Sequence, residues 1–303
     1  MSKKRQENEL ISIIMPVYNA GDFLVEAIKS ILDQTYTNWE LIAVDDKSED
    51  NSLQILKKFA AGDKRIKIIT NRSNRGIGYS LNRALKVAKG TFIARMDADD
   101  IAAPKRLAIQ QQFLKKHPKI IVCGGQANMI DCQGKVFAKK QFPTKPSILY
   151  DMIMQMIPIQ HPMLMARAKY YKRYRYDESL STAEDVDLLF YFLSRGPISN
   201  VSQYIYNYRK ANSSNGYHNV KKTFYLTFLA RWKAIISYRY QPSIKGVLIS
   251  LAQLMAVTVL PSQWIVKLFE AIRFYPPVWQ RLLAMPERLN PNQELRLNHN
   301  LNS

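Results

Sequence analysis

The sequence predicts an α/β protein with a mainly parallel sheet, helices on both faces of the sheet and a helical C-terminal appendage. In the first half of the chain, continuous apolar, β-branched runs alternate with segments whose apolar residues follow helical spacing. Strands and helices that alternate in this way form right-handed βαβ units. After Asn212 the sequence becomes helical, basic and aromatic. We therefore expect a main domain at residues 1–214 and a separate helical region at residues 215–303.

The first half supplies the predicted parallel strands. An apolar run at residues 10–15 stops at Pro16 and leads into a turn. Three further strands are predicted at residues 40–44, 66–70 and 91–96, with helices starting near residues 22, 52 and 77. Gly90 ends the third helix, because glycine readily adopts the left-handed conformation that follows many helices.

The second half carries weaker signals. Pro104 is predicted to begin a helix that includes Leu107 and Leu114. The remaining predicted elements are strands at residues 120–123, 135–142, 161–166 and 204–209 and helices at residues 150–157 and 184–194. The pattern is least clear over residues 143–181.

Composition indicates a globular protein with a substantial core. Of the 303 residues, 47% are hydrophobic and 22% are charged. The two cysteines match no metal-ligand spacing and indicate a reducing compartment. The N-terminus shows no signal-like apolar region, so we expect a cytoplasmic protein. The net charge of +20 favours an anionic partner: a nucleotide, a nucleic acid or an acidic membrane surface.

Three acidic residues, Asp97, Asp99 and Asp100, directly follow the fourth predicted strand. Ligands of open α/β sheets bind outside the carboxyl ends of the strands. Because Mg²⁺ and Mn²⁺ prefer carboxylate oxygens completed by substrate phosphates, this cluster is a candidate metal site. The alternative is a helix cap at Asp100 with two solvated turn residues beside it.

The ends of the first two strands carry further polar residues. Pro16 and Tyr18 follow the first strand, and Asp45 and Asp46 follow the second. Since parallel strands end at one edge of the sheet, we expect these residues to face the same crevice as the acids at residues 97–100. A tyrosine ring can lie against a flat base, and a carboxylate can accept hydrogen bonds from a base or from ribose hydroxyls. The sequence therefore predicts a nucleotide site whose diphosphate is held through a metal.

Several separate motifs resemble those of family 2 glycosyltransferases in order and spacing. They are PVYNAGDFLVEAIKSILDQTYTNWELIAVDDKSED, NRGIGYSLNRALKVAKGTFIARMDADD, the His161-Pro162 pair and the Glu184-Asp185 pair. The resemblance covers about residues 10–214, and the later motifs resemble members from exopolysaccharide and capsule assembly clusters. It implies a GT-A fold, a nucleotide-sugar donor that is usually a UDP-sugar, a Mg²⁺ or Mn²⁺ ion, and inversion at the anomeric carbon.

The resemblance also implies roles for individual residues. Those implied to contact the nucleotide-sugar are Pro16, Tyr18, Asp45, Asp46, Arg75 and Asp97. The implied metal ligands are Asp97 and Asp99, with Asp99 the more direct one. Lys47 departs from the family pattern, which usually has glycine after the acidic pair, and could alter the turn there.

On the acceptor side, the resemblance implies that Asp185 is the general base and that Glu184 and His161 line the acceptor site. An acceptor hydroxyl is a weak nucleophile at neutral pH, so a positioned carboxylate must take its proton. The residues alone leave other interpretations open. An acid such as Asp185 is favoured at a helix N-terminus by the helix dipole, and an isolated histidine is more often structural. Arg106 could face the diphosphate or only the solvent.

The C-terminal region contains an apolar run at residues 246–260, shorter than the roughly 20 residues that a membrane-spanning helix needs. Around it lie Trp232, Lys233, Lys245, Trp264, Lys267, Phe269, Arg273, Tyr275, Trp279 and Arg281. This mixture is typical of a helix on an acidic membrane surface. We therefore expect peripheral attachment to the cytoplasmic face of the inner membrane, with a glycan or lipid-linked sugar as acceptor. The alternative is an appendage that packs on the main domain or forms a homodimer.

Other functions would use parts of the same sequence. A nucleic-acid-binding protein would use the basic tail, with strongly salt-dependent binding and no need for the acids at residues 97–100. A nucleotidyltransferase would also need acidic metal ligands, but it usually has a glycine-rich phosphate loop that PVYNAGDF lacks. An inactive scaffold is disfavoured by the retained Asp99 and Asp185. We favour the glycosyltransferase and expect no nucleic-acid partner.

Overall fold

A mixed sheet of nine strands organises the chain, and the computed structural model describes residues 9–180, 182–210 and 220–265 of it. The strands are β1 (Ile11–Val17), β2 (Trp39–Asp45), β3 (Ile66–Thr70), β4 (Phe92–Arg95), β5 (Ile101–Ala102), β6 (Val122–Ile130), β7 (Val136–Lys140), β8 (Met165–Arg167) and β9 (Ile198–Arg209). Their order is β3-β2-β1-β4-β8-β6-β9-β5, and β7 pairs with β6.

Helices cover both faces of this sheet. They are α1 (Gly21–Leu32), α2 (Ser52–Gly62), α3 (Ile77–Val87), α4 (Arg106–Lys116), α5 (Pro146–Met152), α6 (Ala168–Tyr171), α7 (Glu184–Leu193), α8 (Val220–Ser237) and α9 (Ile244–Val259). Along β1, Ile14 packs into one apolar core while Ile13 and Met15 pack into the other. Successive strand residues point to opposite faces, so β1 is buried on both sides, as its apolar run predicts.

The first half of the sheet is parallel and the second half is mixed. β1 pairs in parallel with β2 and β4, and β2 pairs in parallel with β3. β8 is antiparallel to both β4 and β6, whereas β6 and β9 are parallel. The predicted fold class is confirmed, and every antiparallel pair includes a strand from the second half of the chain, β7, β8 or β9.

Several predicted boundaries are wrong. The strand predicted at residues 120–123 is β6, which continues to Ile130. The sequence pattern did not indicate this length, because Gly124 and Gly125 lie inside the strand. A side chain at these positions would collide with Asn200 and Ile205 respectively. Residues 161–163 form a 3₁₀ turn, not the start of a strand.

The two boundaries predicted from prolines are also wrong. β1 continues through Pro16 to Val17, and α4 begins at Arg106 instead of Pro104.

The two described C-terminal helices pack on the rest of the chain and on each other. Ala230 and Ala234 of α8 belong to the same apolar core as Leu188 of α7. Arg231 of α8 donates to Ser250 of α9 at 3.1 Å. Within the described ranges no helix has both the length and the hydropathy required to cross a bilayer. The division at residue 214 stays a prediction, and Lys267, Phe269, Arg273, Tyr275, Trp279 and Arg281 lie outside the described residues.

Candidate active site at the carboxyl edge of the sheet

The carboxyl ends of β2, β1 and β4 lie side by side. Val17 is in register with Asp45, and Ile14 is in register with Arg95. The backbone N–H of Asp46 donates to the carbonyl of Val17 at 2.8 Å. The sheet order therefore brings together the polar residues that follow these strands, as the sequence predicts.

The Asp46 carboxylate organises the loop that carries Arg75. Its Oδ1 accepts from the Asn71 side chain at 2.6 Å and from the Arg75 backbone N–H at 2.9 Å. Its Oδ2 accepts from the backbone N–H of Gly76 at 2.7 Å. Gly76 has φ +84°, a conformation that glycine adopts without strain. Asp46 thus fixes the turn that presents Arg75, whose guanidinium lies 3.2 Å from the Glu178 carboxylate.

Lys47, which stands where the resemblance implies glycine, lies in a turn with left-handed backbone. Its φ is +62°, in the left-handed region, so the lysine backbone adopts the conformation that favours glycine. Asn19 is also left-handed and accepts a hydrogen bond from the Glu49 backbone N–H at 2.8 Å. The turn that follows β1 is therefore tied to the turn that follows β2.

The other predicted nucleotide-side residues differ in exposure. Tyr18 is 47% exposed, so its ring is free to meet a ligand. Asp45 is buried, and its Oδ1 has no hydrogen-bond partner among the described residues. Pro16 lies inside β1. These positions are compatible with a nucleotide site, and their binding roles stay predictions.

The predicted metal-binding acids do form a cluster. Asp97, Asp99 and Asp100 each offer one carboxylate oxygen, and these atoms lie within 4.8 Å of one another. Oδ1 of the buried Asp100 accepts from the Arg209 backbone N–H at 2.7 Å, while its Oδ2 is buried without a partner among the described residues. Burial and the charge of Asp97 raise the pKa of Asp99 to about 6. Three hard oxygen donors whose charges repel one another fit a divalent cation.

A second pair of acids begins α7. Burial and the charge of Asp185 raise the pKa of Glu184 to about 8, and Oε2 of Glu184 is buried without a hydrogen-bond partner in the described part of the chain. Burial raises the pKa of Asp185 to about 6, although its Oδ1 accepts from the Val186 backbone N–H at 2.8 Å. The charge of Asp97 contributes to both raised pKa values. The two acidic clusters therefore share one electrostatic environment.

Arg95 is a buried cation whose charge acts on both acidic clusters, and the sequence did not predict this role. Its side chain is buried and its Nη1 lies 2.5 Å from Asp97. Burial alone would lower the pKa of Arg95, but Asp97, Tyr206 and Tyr176 together raise it above its usual value. The charge of Arg95 also lowers the pKa of Glu184 and of Asp185. Its position as the last residue of β4, before the acidic cluster, was the available sequence signal.

His161 lies in a buried network behind these acids. Its Nε2 is 2.8 Å from the hydroxyl of Tyr176, which also contacts the hydroxyl of Tyr171. Burial and the charge of Arg95 lower the pKa of His161. The imidazole is therefore neutral at physiological pH, and its predicted acceptor-side role stays a prediction.

Two further buried arginines donate to backbone carbonyls, one of them within the acidic cluster. Arg209 was not predicted to have a role; it donates to the backbone carbonyl of Asp99 at 2.8 Å and to the Glu26 carboxylate at 2.6 Å. Arg106 was expected to face the diphosphate or the solvent, and both alternatives are wrong. It is buried and donates to the carbonyls of Arg95 and Pro162 at 2.6 and 3.1 Å.

The mixed sheet, with acidic residues at the carboxyl ends of its parallel strands, defines a GT-A-like fold. Comparison with known proteins identifies the family: the model described as Glycosyl transferase family 2 matches residues 12–180. The chain is also 40% identical to the putative glycosyltransferase EpsE of Bacillus subtilis over 190 residues, which are 61% of this chain and 67% of EpsE. The chain belongs to glycosyl transferase family 2, and it is a glycosyltransferase.

Two further similarities extend this result. The chain is 43% identical over 111 residues to the Escherichia coli UDP-Glc:alpha-D-GlcNAc-diphosphoundecaprenol beta-1,3-glucosyltransferase WfgD, covering 37% of this chain and 43% of WfgD. Its fold is similar to that of residues 1–349 of S. aureus TarS in complex with UDP-GlcNAc. The TM-score is 0.63 at 19% identity, with 96% of this chain and 79% of that chain covered.

Proposed function

We propose that this glycosyltransferase moves a sugar from a UDP-sugar to a hydroxyl group of a glycan or lipid-linked sugar, with inversion at the anomeric carbon. The observation that carries the proposal is a buried arginine whose charge acts on two acidic clusters. Arg95 contacts Asp97, which lies with Asp99 in one cluster, and its charge lowers the pKa of Glu184 and of Asp185 in the other. One cluster suits a diphosphate-bound cation, and the other suits a proton acceptor.

On the donor side, Asp97 and Asp99 would hold Mg²⁺ or Mn²⁺. When bound there, such an ion would supply positive charge for the leaving nucleoside diphosphate. Tyr18 and the loop fixed by Asp46 would contact the base and ribose, and Arg75 would border the nucleotide. UDP is the nucleotide named for both WfgD and the TarS complex, which supports a UDP-sugar here.

On the acceptor side, Asp185 would act as the general base. The acceptor oxygen forms a bond to the anomeric carbon while the bond from that carbon to the diphosphate oxygen breaks. The proton of the hydroxyl passes to Asp185, and the nucleoside diphosphate leaves. A base with a pKa of about 6 is ionised at neutral pH and still able to accept a proton. Glu184 and His161 would line the acceptor site beside it.

The decisive test is transfer from UDP-glucose or UDP-GlcNAc to GlcNAc-diphosphoundecaprenol in the presence of Mn²⁺, with the anomeric configuration of the product read by NMR. Asp185→Asn should retain UDP binding and lose at least about 100-fold in transfer rate. Asp22→Asn is the matched control, because Asp22 is an exposed first-turn acid of α1. Transfer by Asp185→Asn at the wild-type rate would exclude Asp185 as the base, and a product with retained configuration would exclude inversion.

We also propose that the C-terminal helices bind the surface of an anionic bilayer. α9 exposes an apolar stripe at helical spacing, formed by Ile244, Leu248, Leu251, Met255 and Val259. On α8 a second stripe comprises Tyr225, Leu229, Trp232 and Ile236. The sequence has no acidic residue between Asp187 and Glu270, whereas Lys221 and Lys222 are exposed next to the second stripe. Apolar stripes flanked only by cations suit a lipid surface with negative charge.

Co-sedimentation with phosphatidylglycerol-containing vesicles tests this attachment. Met255→Glu should weaken binding, whereas Thr258→Glu, at an exposed position on the same helix, should weaken it less. Binding that is unchanged by Met255→Glu would contradict the proposal. A dimer that light scattering detects in the wild type and that Met255→Glu dissociates would also contradict it, because a second copy of the chain would then cover the stripe.

A further inference from the structure

Lys233 of α8 reaches from the C-terminal helices to the helix that carries the proposed base. Its Nζ lies 3.1 Å from Oδ1 of Asp187 and 3.5 Å from Oδ2 of Asp177. Asp177 precedes the Glu184–Asp185 pair in the chain, and Asp187 follows it. One ammonium group therefore contacts carboxylates on both flanks of the acidic pair.

Asp187 is an almost fully buried carboxylate, with 1% of its side chain exposed. Besides Lys233 it accepts hydrogen bonds from Tyr174 at 2.6 Å and from Tyr238, which follows α8, at 3.1 Å. Burial and the charge of Asp187 raise the pKa of both tyrosines, so both hydroxyls remain protonated donors. A buried carboxylate without its cation is costly, so Asp187 holds α7 against α8.

The same contacts continue to the nucleotide side. Asp177 is followed by Glu178, whose carboxylate lies 3.2 Å from the Arg75 guanidinium. The backbone of Arg75 donates to Asp46 at 2.9 Å. Lys233 thus joins the first turn of α7 to the segment that contacts the Arg75 loop.

We propose that Lys233 is a positioning residue through which the C-terminal helices hold Asp185 in line for the reaction. The inference rests on the proposed role of Asp185 as base. Asp185 and Asp187 share the first turn of α7, so movement of Asp187 displaces Asp185. Displacing a proton acceptor by about 1 Å can lower a rate about 100-fold while donor binding is unaffected.

Lys233→Met tests the proposal, because it keeps most of the length of the side chain and removes the charge. With saturating UDP-glucose and GlcNAc-diphosphoundecaprenol, kcat should fall at least about tenfold, and the KM for UDP-glucose should stay within about threefold. Lys233→Arg should restore most of kcat. Lys58→Met, at an exposed position of α2, is the matched control and should leave both constants unchanged.

Hydrogen exchange separates this inference from the proposed reaction. In Lys233→Met, amides of the first turn of α7 should exchange at least about tenfold faster than in wild type, whether or not transfer is detected. An unchanged exchange rate, or an unchanged kcat in an active enzyme, would overturn the inference. If wild type transfers no sugar, the proposed function fails and the exchange result still decides whether Lys233 holds α7. If Lys233→Met does not fold, Asp187→Asn provides the same two measurements.

Discussion

Replacing Arg95 with methionine should destabilise the protein and should do so more strongly at alkaline pH. The guanidinium is 2% exposed and lies 2.5 Å from Asp97, and its charge also lowers the pKa of Glu184 and of Asp185. Removing one member of a buried ion pair costs about 3–5 kcal/mol, because the remaining charge is left without a partner. We expect a loss of this size in the free energy of unfolding at about pH 8.

The pH dependence follows from the raised pKa values of the α7 acids. Glu184 and Asp185 have pKa values of about 8 and about 6, so both are largely protonated near pH 5 and fewer negative charges then face the position of Arg95. A carboxyl group whose pKa is raised by folding contributes stability below its unfolded pKa and loses it as the pH rises through the folded pKa. The loss caused by Arg95→Met should therefore be smaller at about pH 5 than at about pH 8.

Urea denaturation at the two pH values measures both effects. Lys115→Met is the control, because the ammonium of Lys115 lies 3.4 Å from Glu9 at the protein surface. Such exposed pairs contribute about 1 kcal/mol or less. A loss below about 1 kcal/mol for Arg95→Met, or an equal loss at both pH values, would refute the view that Arg95 balances the two acidic clusters.

Three further predictions concern the turns and the base. Lys47→Gly should raise the free energy of unfolding by about 1 kcal/mol, because Lys47 has φ +62°. Lys57→Gly, in the middle of α2, should lower it by about 1 kcal/mol. Thermal or urea unfolding measures both changes and shows whether their signs are opposite. Gly76→Ala should weaken UDP binding in calorimetry, because Gly76 has φ +84° and its backbone N–H donates to Asp46. An unchanged affinity would exclude a role for this turn in UDP binding. The rate of transfer should fall as the pH drops below about 6, where Asp185 becomes protonated; a flat profile from pH 5 to 8 would contradict its role as base.

The parallel half of the fold was predictable because β1, β2 and β4 are buried on both faces. Ile14 packs into one apolar core and Ile13 into the other, so the sequence of β1 is a continuous apolar run. The second half was not predictable in detail. β6 contains paired glycines required by close contacts with distant residues, and β8 has only three residues. Neither feature produces a local periodicity.

The candidate site was also predictable only in part. Asp46 and Asp99 follow strands, so their position at one edge could be inferred from topology. The roles of Arg95 and Arg209 depend on burial and on contacts with distant residues, which local sequence does not encode. Arg209 is separated from Asp99 by more than one hundred residues, yet it donates to the backbone of Asp99 at 2.8 Å. Lys47 shows a third case, in which a residue that departs from the family pattern has the left-handed φ that favours glycine.

The most direct test of the central claim is calorimetric titration of UDP, with and without Mn²⁺, into wild type, Asp99→Ala and Asp185→Asn. If the acids at residues 97–99 hold a cation at the diphosphate while Asp185 serves the acceptor, Mn²⁺ should strengthen UDP binding to wild type and Asp185→Asn. Asp99→Ala should lose this Mn²⁺-dependent gain, whereas Asp33→Ala, at an exposed position after α1, should retain it. The same Mn²⁺-dependent affinity in Asp99→Ala and wild type would contradict the account.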